Sequence, residues 1–431
     1  RYDAPVQPGP GGQVTPAQYA EPAQDPLSND TIPPSGGYTP RDFGSAPEVT
    51  PPGNFLGPDG MPGTQPSLPI DVVASEGQTG RFMLGAGVNS NAGLVGSIVL
   101  DEQNFDWRRW PTSWEDFRSG RAFRGAGQKL RIEAAPGTEV QRYLFNFSEP
   151  FLFDTPVSFG LSGYYFNRIY LNWTEQRLGG RVTLGYQFTP DFSGSLGLRA
   201  EDVLLPASSF NPEGVPDLDE AAGRTQLYSA RGSLAHDTRD STFLPTEGHY
   251  ITTTFEYFEG TFQYPWFALN FQQHWLLRQR PDGTGRHTLS YYNQLGFAGS
   301  DTPVYERFFA GGFSTLRGFQ FRGASPRQDS LTEPGESAIV GGDFQFLNSV
   351  EYMFPVTADD MLKMVAFVDF GTVEESVAMT WDEFRIAPGA GIRVTIPAIS
   401  AAPIAVDFAV PVKHAEGDLI QNVSFFVGVA R

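Results

Sequence analysis

From about Arg81 onward, apolar and polar residues alternate in runs of around ten positions, each stopping at Gly, Pro, Asp or Asn. In GGRVTLGYQF, Val182, Leu184, Tyr186 and Phe188 share one face, and Arg181, Thr183, Gly185 and Gln187 share the other. DFSGSLGLRAED sets Phe192, Leu196, Leu198 and Ala200 against Ser193, Ser195, Arg199 and Glu201. HYITTTFEYF sets Ile251, Phe255 and Tyr257 against Thr252, Thr254 and Glu256. A period of two means strands.

Strand length separates a soluble sandwich from a membrane barrel. Sandwich strands are usually about five or six residues long. Many runs here reach about ten, the length a tilted strand needs to cross a bilayer. One face carries Phe, Leu, Val and Tyr, and the other Gly, Ser, Thr, Arg and Glu, the pattern of a lipid-facing exterior and a wet lumen. Hydrocarbon offers no water to satisfy an open edge, so such a sheet must close. Aromatics at strand ends (Phe151, Phe153, Tyr170, Trp173, Tyr264, Trp266) suit interfacial girdles.

The pattern predicts strands at 81–89, 92–103, 123–135, 138–149, 156–168, 174–189, 191–205, 224–238, 248–259, 263–278, 286–299, 338–354, 361–372, 384–397, 402–412 and 419–430. That is about sixteen, an even number, as expected of a bacterial outer-membrane barrel over 79–431. Two connections stand out. One, 300–337, is far longer than a hairpin turn. The other, between the second and third strands, reads NFDWRRWPTSWEDFRSG. Thr112 and Glu115 have capping-box spacing, so a helix of one or two turns is expected there. Trp107, Trp110, Trp114 and Phe117, with Arg108 and Arg109, suit the headgroup layer on the periplasmic side. An ordinary aromatic-rich turn is the competing reading.

Composition separates residues 1–78 from the rest. Sixteen of the 35 prolines fall in the first seventy residues, as in QPGPGGQVTP and TPPGNFLGPDGMPG, too polar a mix to offset its ordering entropy. A Pro/Gly-rich disordered linker is expected, with Phe43, Phe55 and Leu56 as a candidate docking motif. The chain opens on Arg1, so it reads as a mature form or a fragment, and the lack of a signal peptide says little. Absence of Cys removes disulfides, thiolate metal sites and Cys nucleophiles. A net charge of −19 argues against nucleic acid as a partner. No run of about eighteen apolar residues provides a transmembrane helix.

The sequence holds no P-loop, GxSxG, HExxH or EF-hand pattern, and the histidines (His236, His249, His274, His287, His414) are scattered singly. The carboxylates Glu201, Glu256, Asp343 and Asp407 sit at inward positions where polar residues are expected anyway. We therefore expect no catalytic residue, metal or cofactor.

The long connection opens with YERFFAGGFSTLRGFQFRG. The run from Glu306 to Gly311 and Gly312, followed by Leu316, Arg317, Gly318 and Phe319, resembles the signature of the BamA-type insertase superfamily. That superfamily includes BamA, TamA-like proteins and two-partner secretion barrels. The resemblance implies a sixth extracellular loop, between strands eleven and twelve, folded back into the lumen. It also implies that Arg317 contacts acids on the next two strands, here Glu351 and Asp369. Alternation independently turns both acids inward. An Arg between two carboxylates offers a planar fork of donors. Its loss costs on the order of 3–5 kcal/mol in a dry pocket and about 1 kcal/mol or less in a wet one.

The last strand, NVSFFVGVAR, resembles the superfamily's terminal strand, with Gly428 at its glycine; it ends on Arg431 where an aromatic is usual, and Phe425 and Phe426 are candidates to supply that character. The first strand carries Gly85 and Gly87, and glycine weakens a strand. The resemblance makes the seam between these strands a lateral gate for unfolded outer-membrane clients. It further implies periplasmic POTRA domains, which would lie upstream of Arg1 or be lacking, and accessory lipoproteins. Polypeptide secretion and passive diffusion through a porin remain alternatives.

Overall fold

The computed structural model describes residues 79–242, 244–377, 379–395 and 404–430. The expected linker, with Phe43, Phe55 and Leu56, lies outside the described residues. Among the described residues, sixteen antiparallel strands close into a barrel in chain order. They are β1 (Gly80–Asn89), β2 (Gly93–Phe105), β3 (Gln128–Ala135), β4 (Val140–Glu149), β5 (Val157–Ile169), β6 (Thr174–Thr189), β7 (Phe192–Leu205) and β8 (Gly223–Asp237). There follow β9 (Gly248–Gly260), β10 (Tyr264–Arg278), β11 (His287–Ala298), β12 (Phe344–Pro355), β13 (Leu362–Glu374), β14 (Arg385–Val394), β15 (Ile404–Ala409) and β16 (Val423–Ala430). β16 pairs with β1 and closes the ring.

The two-residue rhythm sorts the wall as alternation requires. Phe82, Leu84, Leu184, Leu196, Leu198 and Phe255 are exposed on the outside, while Arg181, Arg199, Glu201, Glu256, Asp369 and Asp407 are buried within. Connections from odd to even strands lie at one end of the barrel, and the reverse connections lie at the end where β1 enters. The long segments 206–222, 299–343 and 410–422 all fall at the first end. Long loops at one end and mostly shorter turns at the other are the asymmetry of outer-membrane barrels.

Several expected boundaries shift for local reasons. β3 begins at Gln128, not 123, because Phe123, Gly125 and Gly127 take positive φ angles that break a ladder. β12 begins at Phe344, not 338, because Ser337–Ile339 pairs instead with Arg327–Asp329 inside the long loop. β16 begins at Val423, not 419, because Ile420–Gln421 pairs with Gly318–Phe319.

The lumen is not uniformly watery. At the long-loop end its wall turns apolar: Val203, Leu205, Leu227, Phe258 and Tyr264 pack against Val304, Tyr305, Phe308, Phe309, Leu316 and Phe319 of the loop. Four expected girdle residues belong to this packing. Trp173, Tyr264 and Trp266 are buried and Tyr170 lies against the same cluster, whereas Phe151 and Phe153 are exposed. The inserted loop supplies apolar partners that an empty lumen would lack. Each fully buried side chain of this size contributes roughly 1.5–3 kcal/mol.

Candidate functional site

The long loop is fastened to the wall at two places by opposite charges. Arg317 is 5% exposed and grips Asp369 with two donors, Nε to Oδ2 at 2.7 Å and Nη2 to Oδ1 at 2.6 Å. Its Nη2 also meets Glu351 at 2.6 Å and donates to Ser349 at 3.0 Å. The Arg317 backbone N–H donates to Asp369 as well, at 3.0 Å. Beneath the guanidinium lies the Phe367 ring, 3.4 Å from the Arg317 Cζ to the ring centre. Such a bidentate, stacked arrangement is one that Lys cannot reproduce.

A third carboxylate completes the pocket. Asp407, on β15, accepts from Arg317 Nη1 at 3.4 Å and from Arg393 Nη2 at 2.9 Å. Its side chain occupies the space beside Gly391, where a Cβ would lie 1.7 Å from Asp407 Oδ1. Gly389 similarly makes room for the Phe367 ring, 2.4 Å from where its Cβ would be. Reading Asp407 as an unremarkable lumen acid missed its part here. The inward glycines of the PGAG run in β14 were the signal available.

Glu306 provides the second fastening. It pairs with Arg177 on β6, and with Arg199 on β7 at 3.5 Å. Arg177 also pairs with Glu175 and, at 3.1 Å, with Glu201, and donates to the Tyr305 carbonyl at 2.7 Å. Arg199 reaches Glu256 at 3.5 Å, and Arg231 holds the same acid at 2.7 Å. Glu201 and Glu256, expected as ordinary lumen acids, are thus members of one buried network. A buried charge persists only where it is paired, and this chain of pairs meets that condition.

Between the fastenings and just beyond Arg317 the backbone takes turns that glycine permits. Gly311, Gly312 and Gly318 have φ of 114°, 97° and 96°. At Gly311 a Cβ would stand 2.3 Å from the Gln320 carbonyl oxygen, so that position is closed to other residues by space as well as by φ.

The loop also reaches both sides of the seam. Gly318–Phe319 forms a short ladder with Ile420–Gln421, just before β16. Phe313 stacks on Phe426 of β16 with centroids 6.4 Å apart, and its N–H donates to Asn91, in the β1–β2 turn, at 3.3 Å. The seam itself pairs Gly85–Asn89 with Phe426–Ala430, so Gly85 faces Ala430 and Gly87 faces Gly428. Phe426 is buried and Phe425 half-buried.

A second loop was not singled out by the sequence. Residues 206–222 carry a one-turn helix, α2 (Pro216–Glu220), if α1 is the turn at Trp114–Arg118. Leu218 of α2 is buried, and Asp217 pairs with Arg307 of the long loop. Arg307 also lies 3.7 Å from Asp343. Burial pushes the Asp343 carboxyl up to about 6, against the pull of Arg307.

In the connection between β2 and β3, α1 is capped by Ser113, whose hydroxyl accepts from the Asp116 N–H at 3.2 Å. The expected capping box from Thr112 to Glu115 is displaced by one residue, because Thr112 turns its hydroxyl to the Asp116 carboxylate at 2.5 Å. Trp107, Trp110 and Trp114 are exposed. The scattered histidines are also not all single: His236 and His249 meet across β8 and β9 with ring nitrogens 2.8 Å apart. Among the described residues no group of three or more His, Asp or Glu is placed to hold a metal ion.

A closed antiparallel barrel with a greasy exterior, and a long loop locked into its lumen by an arginine, defines a class of bacterial outer-membrane proteins. The model of the Omp85 superfamily domain matches residues 122–430, and the chain belongs to that superfamily. It is 24% identical over 324 residues to the outer membrane protein assembly factor BamA of Nitratidesulfovibrio vulgaris, covering 73% of this chain and 37% of that one. It is 24% identical over 379 residues to BamA of Neorickettsia risticii, covering 83% and 46%. This chain therefore spans less than half the length of these relatives. Among solved structures it resembles Haemophilus ducreyi BamA lacking POTRA domains 1–3, with a TM-score of 0.68 at 18% identity over 83% of this chain and 71% of that one. It also resembles CdiB from Acinetobacter baumannii, with a TM-score of 0.54 at 11% identity over 82% and 60%.

Proposed function

We propose that this chain is the membrane-embedded part of a factor that folds client β-barrels and passes them into the outer membrane between β1 and β16. The observation that carries this reading is the seam. β1 and β16 meet over Gly85–Asn89, where Gly85 and Gly87 lie in the pairing, and Phe313 of the long loop braces both sides. A strand edge parted from its neighbour offers its N–H and C=O groups as a template for an incoming strand. The relatives named as assembly factors support the same reading. Its partners are the bilayer, unfolded outer-membrane proteins, and POTRA domains and accessory lipoproteins on the periplasmic side. No step in it calls for a cofactor or for enzymatic catalysis.

The chain contains no cysteine, so the seam can be locked cleanly. Val88 and Val427 face each other across it. The protein carrying Val88→Cys and Val427→Cys, in vesicles with an unfolded client barrel, should lose client folding on oxidation and regain it on reduction. Full client folding by the locked protein overturns the proposal. A polypeptide still crossing the locked barrel would point to secretion, and large steady conductance indifferent to Arg317→Ala to a porin.

A further inference from the structure

The connection between β2 and β3 is the longest described excursion at the end where β1 enters. Trp107, Trp110, Trp114 and Phe117 are 51%, 70%, 76% and 56% exposed. So much aromatic surface in one short segment marks an interaction site. Its chemistry is mixed: residues 106–124 carry Arg108, Arg109, Arg118, Arg121 and Arg124 against Asp106, Glu115 and Asp116, a balance of +2 within a chain of −19. Arg108 lies over the Trp107 ring at 5.1 Å, and Trp114 stacks on Phe117 at 5.4 Å.

A chain of ring contacts sets which way this segment faces. Phe147 on β4 shares the outward face with exposed Tyr143 and Phe145. Its ring meets Phe105 at 6.3 Å, Phe105 stacks on Phe123 at 6.0 Å, and Phe123 meets Trp110 at 5.1 Å. The aromatic surface is thus continuous with the lipid-facing wall rather than with the lumen. Aromatic rings with a polar edge, interleaved with guanidinium groups, match the boundary between acyl chains and phosphates.

We propose that residues 106–124 form a membrane-seating surface whose occupant is the phospholipid headgroup layer of the leaflet at the β1-entry end. It is held one strand away from the seam, on the β1 flank. The arginines bind lipid phosphates and the tryptophans lie among the glycerol backbones. Asp116 keeps the segment shaped: the Thr112 hydroxyl holds its carboxyl below the usual carboxylate range, so it stays ionised and ties Thr112 to α1. This surface is independent of what the seam conducts.

An environment-sensitive fluorophore on Phe117→Cys tests it, in the full chain reconstituted into phosphatidylethanolamine vesicles with and without phosphatidylglycerol. The expected result is a blue-shifted emission, strong quenching by nitroxide at the lipid headgroup, and little quenching by aqueous iodide. Asp282→Cys, on an exposed turn at the same end, is the aqueous control. Iodide quenching equal to that control overturns the proposal and leaves a soluble partner as the occupant. A second measurement does not depend on the label: quenching of intrinsic tryptophan by brominated lipid should lose its headgroup-level component in a Trp107→Ser, Trp110→Ser, Trp114→Ser variant. An unchanged component also overturns it. Replacing Arg108, Arg109 and Arg118 with Gln should abolish any extra headgroup quenching gained from phosphatidylglycerol, and an undiminished gain would remove the arginines from the proposal.

Discussion

The long loop grips the two sides of the barrel in different ways. From β5 to β13 the strands run 12 to 16 residues, and β6 pairs with β7 almost end to end. That wall also receives the loop's Glu306 in a buried network and its Arg317 at Glu351 and Asp369. From β14 through β16 to β1 the described residues form strands of 6 to 10 residues. Among the described residues, β15 meets β16 over Ala405–Phe408, and β16 meets β1 over Gly85–Asn89. Buried charge thus fastens the loop mainly to the first side, while the second side meets it through Asp407, Ile420–Gln421, Phe426 and Asn91. On the function proposed above, a seam braced by a separate, charge-fastened loop would loosen without the loss of the barrel.

Breaking the strongest fastening should erase this contrast most. Arg317→Ala leaves Asp369 and Asp407 buried with too few partners, a cost on the order of 3–5 kcal/mol. We expect a lower yield of folded barrel, read by heat-modifiable electrophoretic mobility, with partial recovery when Asp369→Asn is added. Arg317→Lys should fall between, since an ammonium cannot make the fork. Wild-type mobility for Arg317→Ala would mean the pocket contributes nothing.

The opposite fastening should cost less. In Glu306→Gln, Arg177 keeps Glu175 and Glu201, and Arg199 keeps Glu256. No cation is left stranded, so about 1–3 kcal/mol is expected, visible as a lower urea midpoint. A loss as large as that of Arg317→Ala would show that the wall network depends on the loop for its charge balance.

These two fastenings differ in how readable they were. Arg317 with Glu351 and Asp369 stood out because a local motif and strand alternation converge on the same three residues. The barrel was legible for a similar reason: side-chain period two is a local property repeated over about sixteen segments. Glu306 was visible only as a letter in the motif, because its partners Arg177 and Arg199 are more than a hundred residues away and no local pattern links them. Asp407 was seen as inward but not as a partner, since what admits it is the missing side chain of Gly391. Trp173, Tyr264 and Trp266 were misplaced because alternation reports which face a residue takes, and not what fills the space that face looks into.

Phe313→Ala sharpens the comparison at the seam. The side chain is half-buried, stacked on Phe426 and 5.8 Å below Arg393. Removing an aromatic pair of this kind costs about 0.5–1.5 kcal/mol, so the barrel should fold normally. Amides of β16 should then exchange with solvent faster, by up to roughly tenfold, while those of β6 and β7 stay unchanged. Equal acceleration on both sides would mean that Phe313 supports the whole barrel rather than the seam.

The smallest effect expected is a pH dependence confined to the loop ends. Asp343 precedes β12 directly and is raised to about 6 by burial. Its folded-state value lies above the ordinary 3.8, so the folded form holds the proton more tightly than the unfolded form does. The stability it contributes is therefore complete below about pH 4 and is lost as pH rises through 6. Arg307, which Asp343 shares with Asp217, should hold the long loop to residues 206–222 more firmly at pH 5 than at pH 7. Asp343→Asn keeps the uncharged form at every pH and should flatten this slope. Limited proteolysis of the 206–222 loop across that range reads it directly. A wild-type slope in Asp343→Asn would assign the titration to another group at that end of the barrel.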